Sequence, residues 1–411
     1  MTTQDLTIAK MGQLGEGVAL TDDPRKPVFV PYALPNEHVQ VIEGGERLRI
    51  TQISTPSPDR ITPFCPYFTK CGGCSVQHWA DAPYRAWKRE LIVNALSFEQ
   101  LAPVVHETLD AHGEGRRRAL LHVRFIDNKP VAGFMEPKSH RVVNFDTCPI
   151  LVPALKECSS LAKALALPLV SLRKPLSIQF TATVSGLDVD IRGPGKIDFN
   201  TRMTLTDLAI QHDLARLSIH GDVVLERRQS VLNFGRTPVC IPPGGFTQAT
   251  TLGEETLAGL VLSHVKGARK IADLFCGAGP FALRMAEHAS IYAADCDPAS
   301  IESLKRGFNL VQGLKQVIAE ARDLFRRPLL AHELNTFEAI VLDPPRAGAE
   351  AQMREIATSK VTKVVSVSCS AASFARDAGI LCAAGFSLKS VTPVDQFKYS
   401  AHVEMVGVLE R

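Results

Sequence analysis

From residue 269 to the C-terminus, short apolar runs alternate with amphipathic stretches. "RKIADLFC", "SIYAADCDP", "KQVIAEARD", "FEAIVLDPP", "TKVVSVSC", "FSLKSVTPV" and "HVEMVGVLE" read as strands. Between the first of them lie "GAGPFALRMAEHA", a loop and helix, and "PASIESLKRGFNLVQG", a helix. Strand–helix alternation of this kind predicts an α/β unit with a parallel, doubly wound sheet, whose ligands sit at the carboxyl ends of the strands.

The pattern is different ahead of it. Residues 1–55 hold short alternating strands punctuated by Gly and Pro, "LTIAKMGQLGEGVAL", "KPVFVPYALPNEHVQVIE" and "RLRITQIST". They predict a small β-barrel. "TPSPDRITP" at 55–63 reads as a linker. Residues 64–245 are mixed: "YRAWKRELIVNAL" at 84–96 has helical periodicity, and "KPLSIQFTATVSGLDVDIRG" at 174–193 alternates like a hairpin. The organisation expected is a barrel over 1–55, a central α+β domain over 64–245 and a catalytic domain over 246–411.

Composition changes the picture only a little. With 411 residues, 45% hydrophobic and 22% charged, the chain reads as globular, with no apolar run long enough to span a membrane. The opening "MTTQDLTIAK" has no apolar core of a signal peptide, and a cytoplasmic home is expected. The ten cysteines are then ligands, nucleophiles or buried thiols rather than disulfides. The 46 basic and 43 acidic residues leave a formal charge of +3, which permits a nucleic-acid partner without demanding one. "GRRRALLHVR" and "LERRQS" are local basic clusters; Arg116, Arg117, Arg118 and Arg124 are candidates to meet phosphates.

"DLFCGAGPF" at 273–281 is a strand, a Gly-rich turn and a helix start, where small residues let a ligand approach the backbone. Asp295 ends the next strand, in place to hold ribose hydroxyls. A dinucleotide site is disfavoured because the G-x-G-x-x-G pattern is missing. "VLDPPRAG" adds Asp343 at a strand end, followed by two stiffening prolines. Both motifs, in this order, resemble S-adenosylmethionine (SAM)-dependent methyltransferases.

If the acceptor were carbon 5 of uracil, it would take a methyl group only after a thiolate added to carbon 6, and a base would later remove the carbon-5 proton. Such chemistry needs one cysteine near the Asp-Pro-Pro turn and one carboxylate. Cys369, in "VSVSCSAASFARD", ends the strand after the one carrying Asp343, and a helix with Ser370 as cap follows. The helix dipole would favour its thiolate. Taken alone, a buried thiol is the commoner fate of such a cysteine. Glu404 opens an otherwise apolar last strand, an unusual place for a carboxylate unless it is exposed or has a task.

"DLFCGAGPF", "LDPPRAG", "SVSCSAASFARD" and "AHVEMV" together resemble, in order and spacing, the RNA 5-methyluridine methyltransferases, over nearly the whole chain. The resemblance implies a class I SAM-dependent methyltransferase fold, with Cys369 as nucleophile and Glu404 as base. It puts Gln248, Phe275, Asp295, Asp323 and Asp343 on the cofactor positions. This chain has Ser370-Ala371 where the family usually has Asn-Pro, and Pro280 where it has Asn.

"CPYFTKCGGCSVQHW" holds Cys65, Cys71 and Cys74, and Cys148 lies in "FDTCPIL". Four thiolates hold either structural zinc or an iron–sulfur cluster. The family carries a [4Fe–4S] cluster at matching positions, so the resemblance implies one here. Cys158, Cys240, Cys276, Cys296 and Cys382 read as packing. The N-terminal unit resembles the RNA-binding TRAM domain. That unit and the four cysteines together look like the 23S rRNA members; a tRNA uridine-5 methyltransferase and a non-catalytic RNA-binding factor are the competing readings.

Overall fold

The computed structural model describes residues 3–20, 23, 25–44, 47–172 and 174–411. The alternating N-terminal stretches pair into a five-stranded sheet. Its strands are Thr3–Met11, Glu16–Ala19, Val28–Pro31, His38–Gly44 and Arg47–Thr55, in the spatial order third, second, first, fourth, fifth. The third and fifth strands touch, which brings the two sheet edges together around Ile8, Ala19, Val30, Val39 and Val41.

The hairpin expected at 174–193 forms from Leu176–Thr183 and Gly186–Arg192, antiparallel. It lies inside a seven-stranded sheet that also contains Arg118–Ile126 and Lys129–Met135. The helices Cys158–Ala166 and Phe199–Gln211 pack against this sheet through Leu161, Leu165, Leu205 and Ala209, burying a core with Leu121, Ile178 and Phe180.

The third sheet positions the chemistry. Val317–Ala321, Ser290–Asp295, Lys270–Leu274, Ala339–Leu342 and Lys363–Ser368 lie side by side and parallel, as the alternation predicts. The sheet is not parallel throughout, however. Glu404–Glu410 inserts antiparallel between Lys363–Ser368 and Ser387–Asp395. The connection, residues 396–403, is shorter than the roughly dozen residues that a parallel crossover needs, so the last two strands return on each other.

Residues expected in the central domain also join this sheet. Val104–Val105 and Leu109–Asp110 pair with Ser387–Asp395. Helix Asp81–Phe98 buries Ile92 and Leu96 against Phe374, Val391 and Met405. Among the described residues no helix is long and apolar enough to cross a membrane.

Candidate active site

Three strand ends meet at one edge of the third sheet. Asp343 directly follows Ala339–Leu342, and Cys369 directly follows the neighbouring Lys363–Ser368; Leu342 and Ser366 are in register. Because Glu404–Glu410 runs the other way, its first residues lie beside the end of Lys363–Ser368, with Ser368 opposite Met405. The antiparallel insertion therefore brings Glu404 to the edge where Cys369 and Asp343 emerge. Ser370 caps the helix Ala371–Ala383, as expected, with its hydroxyl accepting from the Ser373 N–H at 3.4 Å.

A chain of amides joins the two carboxyls. Gln248 Nε2 donates to Asp343 Oδ2 at 3.2 Å. Gln396 Nε2 donates to Gln248 Oε1 at 2.7 Å and to Glu404 Oε1 at 3.2 Å. The Ala249 N–H donates to Gln396 Oε1 at 2.9 Å, which fixes the orientation of that amide. Glu404 is only 5% exposed, and its Oε2 has no hydrogen-bond partner among the described residues. A buried carboxyl oxygen left open in an otherwise satisfied network is costly, and such groups cluster where chemistry is done.

The electrostatics follow from that burial. Loss of water and then the Asp343 charge push Glu404 up to about 8. Burial and then Asp295 push Asp343 up to about 7. The Cys369 thiol is pushed up to about 11, by burial first and then by the Glu404 and Asp343 charges, with Arg346 opposing. This corrects the expectation of a thiolate favoured by the helix dipole. Burial first, and then the two neighbouring carboxyl groups, favour the thiol over the thiolate and oppose the helix terminus.

The cofactor candidates line up along the same edge. Phe275, between the first strand and the Gly-rich turn, has φ of 62°, a strained conformation for a bulky residue, and its ring lies 5.4 Å from that of Phe325. Asp295 accepts from the Gly277 N–H at 2.9 Å and from the Asp297 N–H at 2.8 Å, and so braces the turn. Asp323 accepts from the Phe325 and Arg326 N–H groups. A Cβ at Gly277 would meet nothing within 4 Å, so the turn is open to a ligand. Asp273, in the strand leading into the turn, is wholly buried, and burial raises its carboxyl well above the ordinary range, with the Ala282 N–H opposing. Open backbone at Gly277 and acids bracing the turn fit a polar cofactor such as SAM.

Cys65, Cys71, Cys74 and Cys148 come together around one cavity of about 350 Å³, which continues to Arg346, Gln396 and His402. Burial and the neighbouring thiols push Cys74 up to about 12 and Cys148 up to about 11. Among the described residues no three Cys, His, Asp or Glu side chains lie close enough to hold a single metal ion. At Gly72 a Cβ would come within 2.9 Å of the Met135 carbonyl, so the Cys-Gly-Gly-Cys loop needs glycine to lie against the second sheet.

Several expectations change. Arg117 is buried, donates to Glu254 at 2.6 Å and to the Gln248 carbonyl at 3.1 Å, and is not available to phosphate. Arg116 and Arg118 lie over the rings of Phe397 and Phe246. Cys296 is exposed rather than packed. Other residues at the site were not anticipated. Gln396 links Glu404 to Gln248 and through it to Asp343, and directly follows the strand Ser387–Asp395. Arg346 Nη2 donates to His402 Nε2 at 3.3 Å; burial and Arg346 hold His402 down to about 4, so it is neutral and can accept. Lys88, 0% exposed, donates to Asp395 at 2.8 Å and to the carbonyls of Phe397 and His402, clasping the loop that carries Gln396.

Residues 242–411 match the profile of the tRNA (uracil-5-)-methyltransferase family. An uncharacterized RNA methyltransferase of Brucella suis is 43% identical over 409 residues, covering 100% of this chain and 98% of that protein. The 23S rRNA (uracil(1939)-C(5))-methyltransferase RlmD of Chromohalobacter salexigens is 30% identical over 439 residues, covering 100% of this chain and 90% of its own. The crystal structure of Pyrococcus abyssi tRNA (uracil-54, C5)-methyltransferase with S-adenosyl-L-homocysteine shares the fold, with a TM-score of 0.76 at 20% identity, over 98% of this chain and 99% of that one. With identities of this size running the length of the chain, and a strand edge built for a polar cofactor, this protein belongs to the tRNA (uracil-5-)-methyltransferase family and is an RNA methyltransferase that uses SAM.

Proposed function

We propose that the protein methylates carbon 5 of a uridine in 23S rRNA, with Cys369 as nucleophile and Glu404 as base. The observation that carries the reading is geometric: Cys369, Asp343 and Glu404 emerge at one sheet edge, with Oε2 of buried Glu404 open. The similarity to RlmD supports rRNA as the substrate.

SAM, when bound, would supply the methyl group, its sulfur keeping the electron pair of the broken S–CH3 bond and leaving as the neutral thioether S-adenosylhomocysteine. Gln248, Phe275, Asp295, Asp323 and Asp343 would hold it. Cys369 gives up its proton to solvent and adds through sulfur to carbon 6 of the uracil. The carbon 5–carbon 6 electron pair moves onto the ring carbonyl as an enolate, and carbon 5 takes the methyl group. The Glu404 carboxylate then accepts the carbon-5 proton. The released pair re-forms the ring double bond and expels the Cys369 thiolate. Through this sequence Gln396 and Gln248 keep the two carboxyls in register.

The remaining assignments belong to the same reading. Residues 1–55 act as a TRAM-like RNA-binding barrel, 64–245 as a central domain whose 81–110 segment packs on the catalytic sheet, and 246–411 as the catalytic domain, in a cytoplasmic protein. Cys65, Cys71, Cys74 and Cys148 would hold a [4Fe–4S] cluster; their place around one cavity supports the reading. Its chemistry would be that of a cross-link between the 65–74 loop and residue 148. Iron and sulfide analysis of anaerobically purified protein tests it, and Cys74→Ala is expected to lose the cluster.

Mapping of 5-methyluridine by mass spectrometry, in rRNA and tRNA with and without the gene, tests the substrate. Loss of a 23S rRNA site is expected; loss in tRNA alone overturns that assignment. RNA containing 5-fluorouridine, with SAM, should trap a denaturation-resistant adduct on Cys369. Absence of an adduct with the mapped RNA overturns the covalent mechanism.

A further inference from the structure

The helix Ala371–Ala383 begins just after Cys369, and the motif "SVSCSAASFARD" that contains the thiol ends on Arg376 and Asp377. The mechanism above gives neither of these two residues a task. Ser370, Ser373 and Asp377 recur at helical spacing and so share one face. That face is turned to the loop that follows the Asp343-Pro-Pro turn: Asp377 bonds to Ala349, and a Cβ on Gly348 would lie 3.0 Å from that of Ser373.

Two side chains grip the loop. Asp377, 3% exposed, accepts from the Ala349 N–H through Oδ2 at 2.6 Å. Its Oδ1 accepts from Arg376 Nε at 2.9 Å and from Nη2 at 2.6 Å. Arg376 Nη2 also donates to the Ala347 carbonyl at 2.9 Å. Between the two held residues Gly348 has φ of 79°, and a Cβ there would lie 2.4 Å from Arg376 Nη2 and 2.6 Å from Asp377 Oδ2. Only glycine lets the loop come so close. The Gly348 N–H donates to the Pro345 carbonyl at 2.8 Å and closes a tight turn, with Arg346 inside it. Arg346 lines both cavities beside the site, the one that holds the four cysteines and a second of about 520 Å³ that reaches Cys369. Asp343, Glu404, Arg346 and neutral His402 surround the thiol. The two carboxyls oppose a thiolate, and the guanidinium favours one. The side-chain bond of Arg346 to His402 is long, at 3.3 Å, so the backbone of the turn sets where its charge sits.

We propose that Arg376 and Asp377 are positioning residues for the reaction: they fasten the 345–349 turn to the nucleophile's own helix and so hold Arg346 where its charge stabilises the Cys369 thiolate. Thiol and cation are thereby mounted on one element. This inference rests on the reading of Cys369 as nucleophile and adds the device that keeps its cation in place.

The test is the rate at which iodoacetamide labels Cys369 at pH 8 in the full-length protein, read on the Cys369 peptide by mass spectrometry. It needs neither RNA nor SAM, and exposed Cys296 in the same digest is the reference for the reagent. Arg346→Met should slow labelling about tenfold, one pKa unit, the lower end for a lost opposite charge. Asp377→Ala should slow it by a similar factor. The double variant should be no slower than either alone, because both changes act through one cation. Asp377→Asn keeps an acceptor for the Ala349 N–H and should fall between; it carries the test if circular dichroism shows the alanine variant unfolded. Labelling as fast as in the unmodified protein in both Asp377 variants, or losses that multiply in the double variant, overturn the positioning role. Neither outcome touches the methyl-transfer reading, which fails instead if the unmodified protein gives no methyl transfer and no 5-fluorouridine adduct.

Discussion

Two glutamates are buried in this chain with opposite consequences. Glu37, in the N-terminal region, is 0% exposed and fully matched. Arg60 donates to both its oxygens, at 2.5 and 2.8 Å, and the Leu34 and Ser57 N–H groups add 2.8 and 3.2 Å bonds. Although burial alone would raise it, those donors hold Glu37 below the ordinary carboxylate range. Glu404, beside Cys369, has one neutral amide donor, a carboxyl neighbour and one open oxygen, and is held well above that range. A buried carboxylate surrounded by donors is structural; one whose surroundings disfavour its charge is poised to take a proton.

The largest effect expected is on turnover. Glu404→Gln should lower the rate of methyl transfer about 10²–10⁴-fold, the usual worth of a positioned base. It should also make the covalent RNA adduct accumulate on denaturing gels, because addition and methylation precede proton removal. Lys88→Met comes next. It leaves Asp395 buried without its cation, and chemical denaturation should show a loss of about 3–5 kcal/mol. Glu37→Gln, which spares catalysis, should cost about 2 kcal/mol, since Arg60 is partly exposed and can turn to water.

The pH dependence separates the two glutamates by sign. Glu37 has a lowered folded-state pKa, so its stabilisation is present above its unfolded value near 4.5 and is lost as pH falls through the folded one. Glu404 has a raised one. Its contribution is complete below about 4.5 and is lost as pH rises through about 8. Melting temperatures should therefore lose part of their acid-side slope in Glu37→Gln and part of their slope between pH 5 and 8 in Glu404→Gln; equal slopes in both variants would break the comparison. For the same reason kcat/KM should climb with pH toward 8 as Glu404 ionises. The smallest effect is Ser370→Ala, about 0.5 kcal/mol by melting, at the low end for a cap because the hydrogen bond is long.

Asp295, Asp343, Cys369 and Glu404 were all legible as strand-end residues, because strand periodicity and turn chemistry are local; Phe275 entered only through the resemblance. The same holds for the Ser370 cap and the 176–192 hairpin, whose bonds span a few residues. Gln396 was missed because its meaning lies in Gln248, 148 positions away, and Lys88 because its partner Asp395 is 307 away. Arg117 was misread as a surface cation, since its burial depends on Glu254 arriving from another element.

By itself, then, the sequence determined the strand–helix alternation, the order of the motifs and the placing of a thiol and carboxyls at strand ends, because these depend on spacings of two to four residues. Tertiary structure decided the rest. It turned the last strand antiparallel, brought Glu404 beside Cys369, joined the carboxyls through two glutamines and stripped water from them. Reactivity here is a property of desolvation and neighbouring charge, and both are set only when distant segments pack.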